Sequence, residues 1–217
     1  MSLSLEEIMI KIREDFDKQY EIREEVITLL RESLINSKSA INAVHNRESN
    51  KVQSRLGKAK EKIEQAKSLL EKFPDLQIGM LYLSFQEFTE ASILYEMIFK
   101  NNFVTPEELG VNTLSYLMGI ADSIGEFRRS VLDSFRREDV EEAEKILEIM
   151  EKLFVELTAM ESAQSLESNL RHKIDVARRI LEVTRGDVTT EVRREQLKKV
   201  MNSLEKKLNS SVSQSGN

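Results

Sequence analysis

A long amphipathic pattern near the start of the chain restricts its fold more than any other sequence feature. From Ile8 to Val44, apolar residues recur three and four positions apart, as at Ile22, Val26 and Leu29. This spacing places them on one face of an α-helix. The 217 residues include only 7 glycines and 2 prolines, a composition that favours long helices over a sheet. We find no β alternation and no fixed-period repeat, so the chain is predicted to be all-α.

Local start and stop signals predict about seven helices. Pro74, the Asn101–Asn102 pair and Gly186 are expected to end helices. Thr105 and Asp139 are each expected to cap a helix, with Glu108 and Glu142 three residues further on. Short links favour an antiparallel bundle. We expect one domain over residues 1–208 and a disordered Ser-rich tail over 209–217. After the first helix, the predicted spans are about Lys51–Phe73, Asp75–Phe99, Asn112–Arg137, a helix from Asp139, Ser165–Arg185 and Thr189–Leu208.

Several classes of protein are disfavoured by what the chain lacks. There is no cysteine, so disulfides and thiolate metal sites are excluded. His45 and His172 are the only histidines, and neither lies in a Glu-x-x-His ligand motif. There is no glycine-rich phosphate loop. No apolar run reaches the roughly 20 residues that a membrane span needs. We therefore expect a cytoplasmic protein without a membrane partner.

Four acidic residues lie within or directly after the two segments with the least charge. Leu76–Phe99 contains only three charged residues in 24, and Val111–Gly125 contains only Asp122. A helix without a polar face is a buried one. Glu87 and Glu90 lie three apart, and Asp122 and Glu126 lie four apart, so each pair projects from one face of its helix.

Two interpretations of these acids remain open. Two facing pairs would form an oxygen-only site suited to Mg²⁺ or Mn²⁺, and Gly119 and Gly125 beside Asp122 would allow a close approach of two backbones. Alternatively, the acids form salt bridges with Arg128, Arg129 or other basic residues of the bundle. Buried ion pairs are common enough in helical proteins that we give this alternative about equal weight.

Two locally basic blocks stand inside a chain whose net charge is −6. Arg31–Lys67 contains 9 bases and 4 acids, and Arg171–Lys199 contains 9 bases and 5 acids. Within these blocks, basic residues seven positions apart share one helical stripe and could follow a phosphate backbone. The alternative is a solvated helix face with local ion pairs. The residues concerned are Arg31, Lys38 and His45, continued by Arg47, Lys51 and Arg55, and then Arg171, Arg178 and Arg185.

Three segments resemble the translin/Trax family. Arg31–Arg47 (RESLINSKSAINAVHNR) is similar to its N-terminal pattern, although Asn46 separates His45 from Arg47. Gln86–Ala91 (QEFTEA) resembles the Gln-Glu-x-x-Glu-Ala motif of Trax. Tyr116–Arg129 (YLMGIADSIGEFRR) resembles the most specific family pattern, Tyr-Leu-x-Gly-x-Ala-Asp-x-x-Gly-Glu-x-x-Arg. A weaker match follows at Leu170–Gly186, so the resemblance spans most of the chain.

The resemblance implies a seven-helix fold, a closed octameric shell and binding of RNA or single-stranded DNA. In Trax-like members, four acids form a Mg²⁺-dependent ribonuclease centre, and these correspond to Glu87, Glu90, Asp122 and Glu126. Because all four acids are retained, the resemblance places the chain on the catalytic, Trax side. The chain lacks the long insertion that animal Trax carries between the two acidic helices. It therefore resembles a compact prokaryotic or archaeal member that forms a homo-oligomer.

Three functions follow, in order of support. The first is a metal-dependent endoribonuclease that acts on RNA, with the basic residues Arg31, Lys38, His45, Arg47, Arg171 and Arg178 holding phosphates. The second is a non-catalytic, translin-like nucleic-acid-binding protein whose acids are structural. The third is a PhoU-like, metal-binding helical regulator. This last class requires no basic stripes and does not share the Tyr116–Arg129 pattern.

Overall fold

The computed structural model describes residues 4–214, with side chains described as far as residue 209. Every regular element in this part of the chain is helical, which confirms the predicted all-α class. A single π-helical turn, Glu96–Lys100, follows the third helix directly. The α-helices are α1 (Leu5–His45), α2 (Ser49–Leu70), α3 (Gly79–Tyr95), α4 (Pro106–Leu109), α5 (Thr113–Arg136), α6 (Val140–Ala159), α7 (Glu161–Leu166) and α8 (Ser168–Gln214).

The contacts divide the chain into two compact units, and the boundary falls inside α5, between Ser123 and Ile124. In the first unit, α1 and α2 form a hairpin joined by a short turn, and α3 packs against both helices. One cluster of its core lies around Phe85 and Phe88, and another lies around Val26 and Leu30. These residues follow the apolar spacing that predicted the helices.

The second unit contains the later part of α5 together with α6, α7 and α8. Helix α8 packs against both α6 and α7. The large side chains that are fully buried in the second unit come from α5, α6 and α8, and they recur at helical spacing. They are Ile124 and Phe127 of α5, Met150 and Leu157 of α6, and Leu170 and Ile174 of α8.

Capping side chains fix several of the helix ends. The Thr105 hydroxyl accepts a hydrogen bond from the Glu108 backbone N–H, and the Glu108 carboxylate accepts one from the Thr105 N–H. Asp139 caps α6 by accepting a hydrogen bond from the Glu142 N–H at 2.9 Å. Both caps were predicted, and they satisfy N–H groups that have no partner in the first helical turn. Asn101, with φ of 50°, ends the π-turn in the left-handed conformation.

The prediction that Gly186 ends a helix was wrong. Residues on both sides of it belong to the continuous helix α8, which replaces the two helices predicted over 165–185 and 189–208. A glycine inside a helix costs only about 1 kcal/mol relative to alanine, and tertiary packing offsets that cost here. Thr184 and Val188 are buried on either side of Gly186.

The predicted boundaries also differ at three other places. Helix α2 ends at Leu70, and α3 begins at Gly79 rather than at Asp75, because the residues around Pro74 form turns. Residues 161–166 form the short helix α7, which was not predicted. Helix α8 continues to Gln214 and so includes most of the tail expected to be disordered, while residues 215–217 lie outside the described residues. Within residues 4–214, no helix is both long enough and apolar enough to cross a membrane.

Candidate functional site

Helix α3 is buried along most of its length, as its sequence predicted. The eight consecutive residues from Phe88 to Tyr95 are all buried, and the Glu90 side chain is among them with 9% of the residue exposed. Glu87 is half-buried on the same helix. A buried carboxylate loses hydration and needs a compensating partner, whether a donor, a cation or a proton. Both acids have interactions within the protein, so neither is isolated.

Gly119 allows α5 to approach α3 closely. A Cβ atom at this position would lie 2.6 Å from the Gln86 carbonyl oxygen and 2.7 Å from Thr89 Cβ. No side chain fits at these distances, which confirms the prediction of a close approach here. The same prediction for Gly125 was wrong, because a Cβ there would meet only Ile180 Cδ1, at 4.0 Å.

The close approach brings Gln86 next to Asp122. Gln86 Nε2 donates a hydrogen bond to Asp122 Oδ2 at 2.6 Å. Both residues are half-buried, so the bond is partly shielded from water. It fixes one oxygen of the Asp122 carboxylate against α3. Sequence reasoning did not assign a role to Gln86 beyond its place in the QEFTEA motif. The same turn of α3 also carries Glu87, Thr89 and Glu90, and the sequence alone does not show which of these polar side chains faces α5.

Glu126 lies one turn beyond Asp122 in α5 and has a basic neighbour. The Arg129 guanidinium lies 3.7 Å from Glu126 Oε2, and the two side chains are 52% and 27% exposed. Arg128 instead donates hydrogen bonds to the Thr184 hydroxyl and to the Asp187 carboxylate, both at 2.9 Å. The salt-bridge alternative therefore holds in part for Glu126, through a long and exposed contact with Arg129, while Arg128 stabilises the packing of α5 against α8.

The donor chemistry of the four acids matches a hard divalent cation, because all four offer carboxylate oxygens. Glu87, Glu90 and Asp122 lie in the first unit, and Glu126 follows Asp122 on the continuous helix α5. Among the residues that the structure describes, no group of three or more His, Cys, Asp or Glu side chains is arranged as a metal site.

The basic stripe on α1 is exposed at its first two positions. Arg31 and Lys38 are exposed, whereas His45 is half-buried at the end of the helix. Glu32, the acid adjacent to Arg31 in sequence, pairs instead with Lys62 of α2 at 2.9 Å. The hydrogen bond with Glu32 raises the pKa of Lys62 above its ordinary value. The local ion pair that would have explained Arg31 is therefore absent from the described residues.

The turn after α1 holds Arg47 in an unusual backbone conformation. Arg47 has a φ of 61°, in the left-handed region that non-glycine residues adopt rarely. Such strain persists only where the surroundings enforce it, and it is often found at functional positions. Of the residues expected to continue the positive charge, Lys51 pairs with Glu48 at 2.8 Å, and Arg55 donates a hydrogen bond to Asn36 Oδ1 at 3.1 Å.

The second basic stripe, on α8, is only partly available for a ligand. Arg185 donates two hydrogen bonds to Glu151 Oε1, at 2.9 and 2.7 Å, so it serves to join α8 to α6. The Arg178 guanidinium lies 5.4 Å from the centre of the Phe154 ring, in cation–π contact. Arg171 is exposed. Arg171 and Arg178 thus remain candidates to contact phosphates, and Arg185 is structural.

Tyr116, the first residue of the Tyr116–Arg129 motif, has a structural role. Its hydroxyl donates a hydrogen bond to the Val104 carbonyl at 2.6 Å and ties the segment before α4 to α5. Burial raises the pKa of the Tyr116 hydroxyl, with a smaller contribution from Glu107 and Glu108. The hydroxyl thus remains a donor throughout the neutral range, which preserves this contact.

Comparison with known proteins places this architecture in a class. The chain resembles the apo form of NeC3PO with a TM-score of 0.78 and 24% identity, over 88% of this chain and 100% of that one. It resembles AfC3PO in its complex with duplex RNA with a TM-score of 0.76 and AfC3PO alone with a TM-score of 0.74. Both AfC3PO comparisons show 29% identity and cover 86% of this chain and 97% of that one.

The fold is therefore that of the C3PO, translin-type proteins, as the sequence resemblance predicted. The chain belongs to the same family as an uncharacterised protein of Methanocaldococcus jannaschii. The two are 35% identical over 185 residues, which is 82% of each chain. No family model matches the sequence.

Proposed function

We propose that this protein is a metal-dependent endoribonuclease of the Trax-like, catalytic type. It would bind RNA, with single-stranded DNA as a further ligand, and would cut RNA at a centre formed by Glu87, Glu90, Asp122 and Glu126. The observation that carries the proposal is the placement of Glu90 and Asp122. Glu90 is buried on α3, and Asp122 is joined to the same helix by Gln86 at the close crossing that Gly119 allows.

Side chains of this protein would hold the cation and keep its carboxylate ligands in place. Carboxylates on rigid helices are suited to Mg²⁺ or Mn²⁺, which prefer oxygen ligands. Without a cation these carboxylates repel one another, so we expect them to converge only when it is present. When bound, the cation would lower the pKa of a water molecule and neutralise charge developing on the phosphate. The Gln86 amide would keep one Asp122 oxygen in place and leave the other for the cation.

The substrate class follows from the exposed cations and from the structural relatives. AfC3PO forms a complex with duplex RNA, and this chain shares its fold with 29% identity. Arg31 and Lys38 on α1, together with Arg171 and Arg178 on α8, are exposed cations that could contact phosphates. The family resemblance implies RNA or single-stranded DNA as ligands, whereas AfC3PO is complexed with duplex RNA, so both single-stranded and duplex RNA are needed in the test. Described aromatic side chains such as Tyr82 and Phe103 are exposed, but they lie outside the basic stripes.

We also propose that the working form is a homo-oligomer well above a dimer, with an octamer as the family resemblance implies. The amphipathic faces of the first and last helices exceed what one chain can cover, since large apolar side chains on both remain exposed. Light scattering at micromolar protein should show a mass that is a high multiple of the 25.1 kDa chain. A stable monomer would contradict this proposal.

The second candidate function is nucleic-acid binding without catalysis. The contact between Arg129 and Glu126 at 3.7 Å favours it, because a carboxylate engaged by an arginine is less available to a metal. On this alternative, the acids support only the fold.

A cleavage assay separates the two functions. Labelled single-stranded and duplex RNA would be incubated with the full chain in Mg²⁺, in Mn²⁺ and in EDTA. Cleavage that depends on the cation and is abolished by EDTA supports the nuclease. Cation-independent binding of RNA with no cleavage under any of these conditions would support the binding protein instead.

A further inference from the structure

Two helical segments expose rows of large apolar side chains. In α1, residues between Leu5 and Tyr20 recur at intervals of three and four and are 40% to 75% exposed. In α8, residues between Leu197 and Leu208 recur at the same intervals and are 55% to 65% exposed. We call these the α1 stripe (Leu5, Ile8, Met9, Ile12, Phe16 and Tyr20) and the α8 stripe (Leu197, Val200, Met201, Leu204 and Leu208).

The two stripes have the shape that helix pairing requires. Apolar residues that recur every three or four positions form the seam of paired helices, where each side chain fits between those of the facing helix. At about 1.5 Å per residue, the α1 stripe extends over roughly 24 Å and the α8 stripe over roughly 18 Å. Contiguous exposed apolar surface of this kind marks an interaction site rather than an ordinary protein surface.

The charges around the stripes are opposite. Residues 5–25, which contain the α1 stripe, carry eight acidic and four basic side chains, a net charge of −4. Residues 193–208, which contain the α8 stripe, carry six basic and two acidic side chains, a net charge of +4. Two α1 stripes would repel each other, and so would two α8 stripes, whereas an α1 stripe and an α8 stripe attract.

We propose that the α1 stripe of one copy of this chain packs against the α8 stripe of a second copy. Each stripe is then covered by the other kind of stripe from a neighbouring copy. The charge pattern favours this pairing over a contact between two α1 stripes or between two α8 stripes. The inference rests on the proposed homo-oligomer and specifies its contact. Unless two copies make both contacts reciprocally, an interface between two different surfaces adds subunits head to tail until a ring closes, so it can build an assembly larger than a dimer.

Charge reversal provides a test in which each altered surface is repaired by the other. One variant replaces four acids that lie beside the α1 stripe on a helical projection, Glu6, Asp15, Asp17 and Glu24, with lysine. The other replaces four bases that lie beside the α8 stripe, Arg193, Arg194, Lys198 and Lys207, with glutamate. These positions are on the surface, and the ion pairs that the changes remove, such as Lys198 with Glu138 at 3.1 Å, are exposed and contribute little to folding.

Each variant alone should fall to a smaller mass, because its two stripes now carry charges of the same sign. An equimolar mixture should regain the wild-type mass, since the reversed α1 segment of one variant matches the reversed α8 segment of the other. Circular dichroism of each variant would verify that its helices are intact. The readout is mass measured by sedimentation, so a failure of the proposed nuclease activity would leave this result unaffected.

Three outcomes would overturn the pairing. A wild-type monomer would contradict both the homo-oligomer and the contact. An oligomer that neither variant disturbs would contradict the proposed contact but not the homo-oligomer. Loss of assembly in both variants without recovery on mixing would indicate that each stripe binds its own kind or another partner. Vesicles containing phosphatidylserine, added to the wild type, would reveal whether that partner of the basic α8 stripe is a lipid surface.

Discussion

Gln86 and Asp122 lie on different helices and share a hydrogen bond of 2.6 Å, with the amide of Gln86 donating to Asp122 Oδ2. The bond exists because α5 approaches α3 closely at Gly119, where the backbone oxygen of Gln86 would lie only 2.6 Å from an added Cβ. A residue adjacent in sequence to the candidate ligand Glu87 thus orients a second candidate ligand, Asp122. Partners of this kind, behind the ligands themselves, set both the orientation and the basicity of a metal-binding carboxylate.

Replacement of Gln86 should therefore weaken the proposed centre without emptying it. Gln86→Ala removes the donor but leaves all four carboxylates, so we expect cleavage to fall by roughly 10- to 100-fold and the Mg²⁺ concentration for half-maximal rate to rise. RNA binding in EDTA should be unchanged.

Gln65→Ala is the matched control for Gln86. Gln65 also donates its amide to a carboxylate, that of Glu61 at 3.1 Å, but on the exposed side of α2. This variant should cleave like the wild type. If Gln86→Ala keeps the wild-type rate and Mg²⁺ dependence, Gln86 does not position Asp122 for the reaction.

Removal of charge from the centre should abolish cleavage and leave the fold intact. Asp122→Asn keeps an oxygen that can accept from Gln86, and Glu90→Gln keeps the side-chain volume on α3. We expect cleavage to fall by about 100-fold or more, the scale on which a metal site stabilises the transition state. Melting temperature without metal should stay level or rise, since repulsion among the carboxylates is relieved.

The same measurements test the salt-bridge alternative. If an acid pairs with a buried cation, its replacement leaves that cation unpaired and should cost about 3–5 kcal/mol of unfolding free energy. Asp133→Asn, which removes a charge from the same helix at a pair with Arg136, is a control expected to affect neither property strongly. A large loss of stability in Asp122→Asn or Glu90→Gln, without a specific loss of cleavage, would rule out the metal site.

The two glycines beside Asp122 should respond oppositely to alanine. Gly119→Ala forces a methyl group to within 2.6 Å of the Gln86 carbonyl oxygen, and overpacking of this kind costs about 1–3 kcal/mol of unfolding free energy. At Gly125 the added methyl group meets only Ile180 Cδ1 at 4.0 Å, so the higher helix propensity of alanine should stabilise the fold by up to about 1 kcal/mol. Urea denaturation at one fixed protein concentration measures both values. Equal effects at the two sites would mean that the α3–α5 crossing is looser than described.

The basic stripe on α1 should govern the salt dependence of RNA binding. If Arg31 and Lys38 contact phosphates, the double replacement by alanine should weaken binding and reduce the log–log slope against salt by about 0.7 for each phosphate that is no longer neutralised. Removal of two other exposed charges, Arg136 and Lys145 on α5 and α6, controls for net charge. Filter binding of single-stranded RNA over a salt series, in EDTA, gives both slopes. If the salt-dependence slope is the same in both variants and in the wild type, Arg31 and Lys38 do not contact phosphates and the stripe is a solvated helix face.

Local signals in the sequence determined the helical class, several helix ends and the candidate acids. The caps at Thr105 and Asp139 act within one helical turn, so neighbouring residues suffice to predict them. The apolar character of residues 76–99 likewise predicted the buried helix α3, because the scarcity of charged residues is visible in the sequence of that segment alone.

Only the tertiary structure decided which residues meet across helices. Gly119 and Gly125 carried the same expectation of a close approach, yet α3 lies against Gly119 alone. Arg128 and Arg129 were equivalent neighbours of the acids, yet Arg128 reaches Thr184 and Asp187. Gly186 was a plausible end for a helix, yet α8 continues through it. Helix periodicity fixes the face on which a side chain lies, but the partner on that face depends on the packing of segments far apart in the chain.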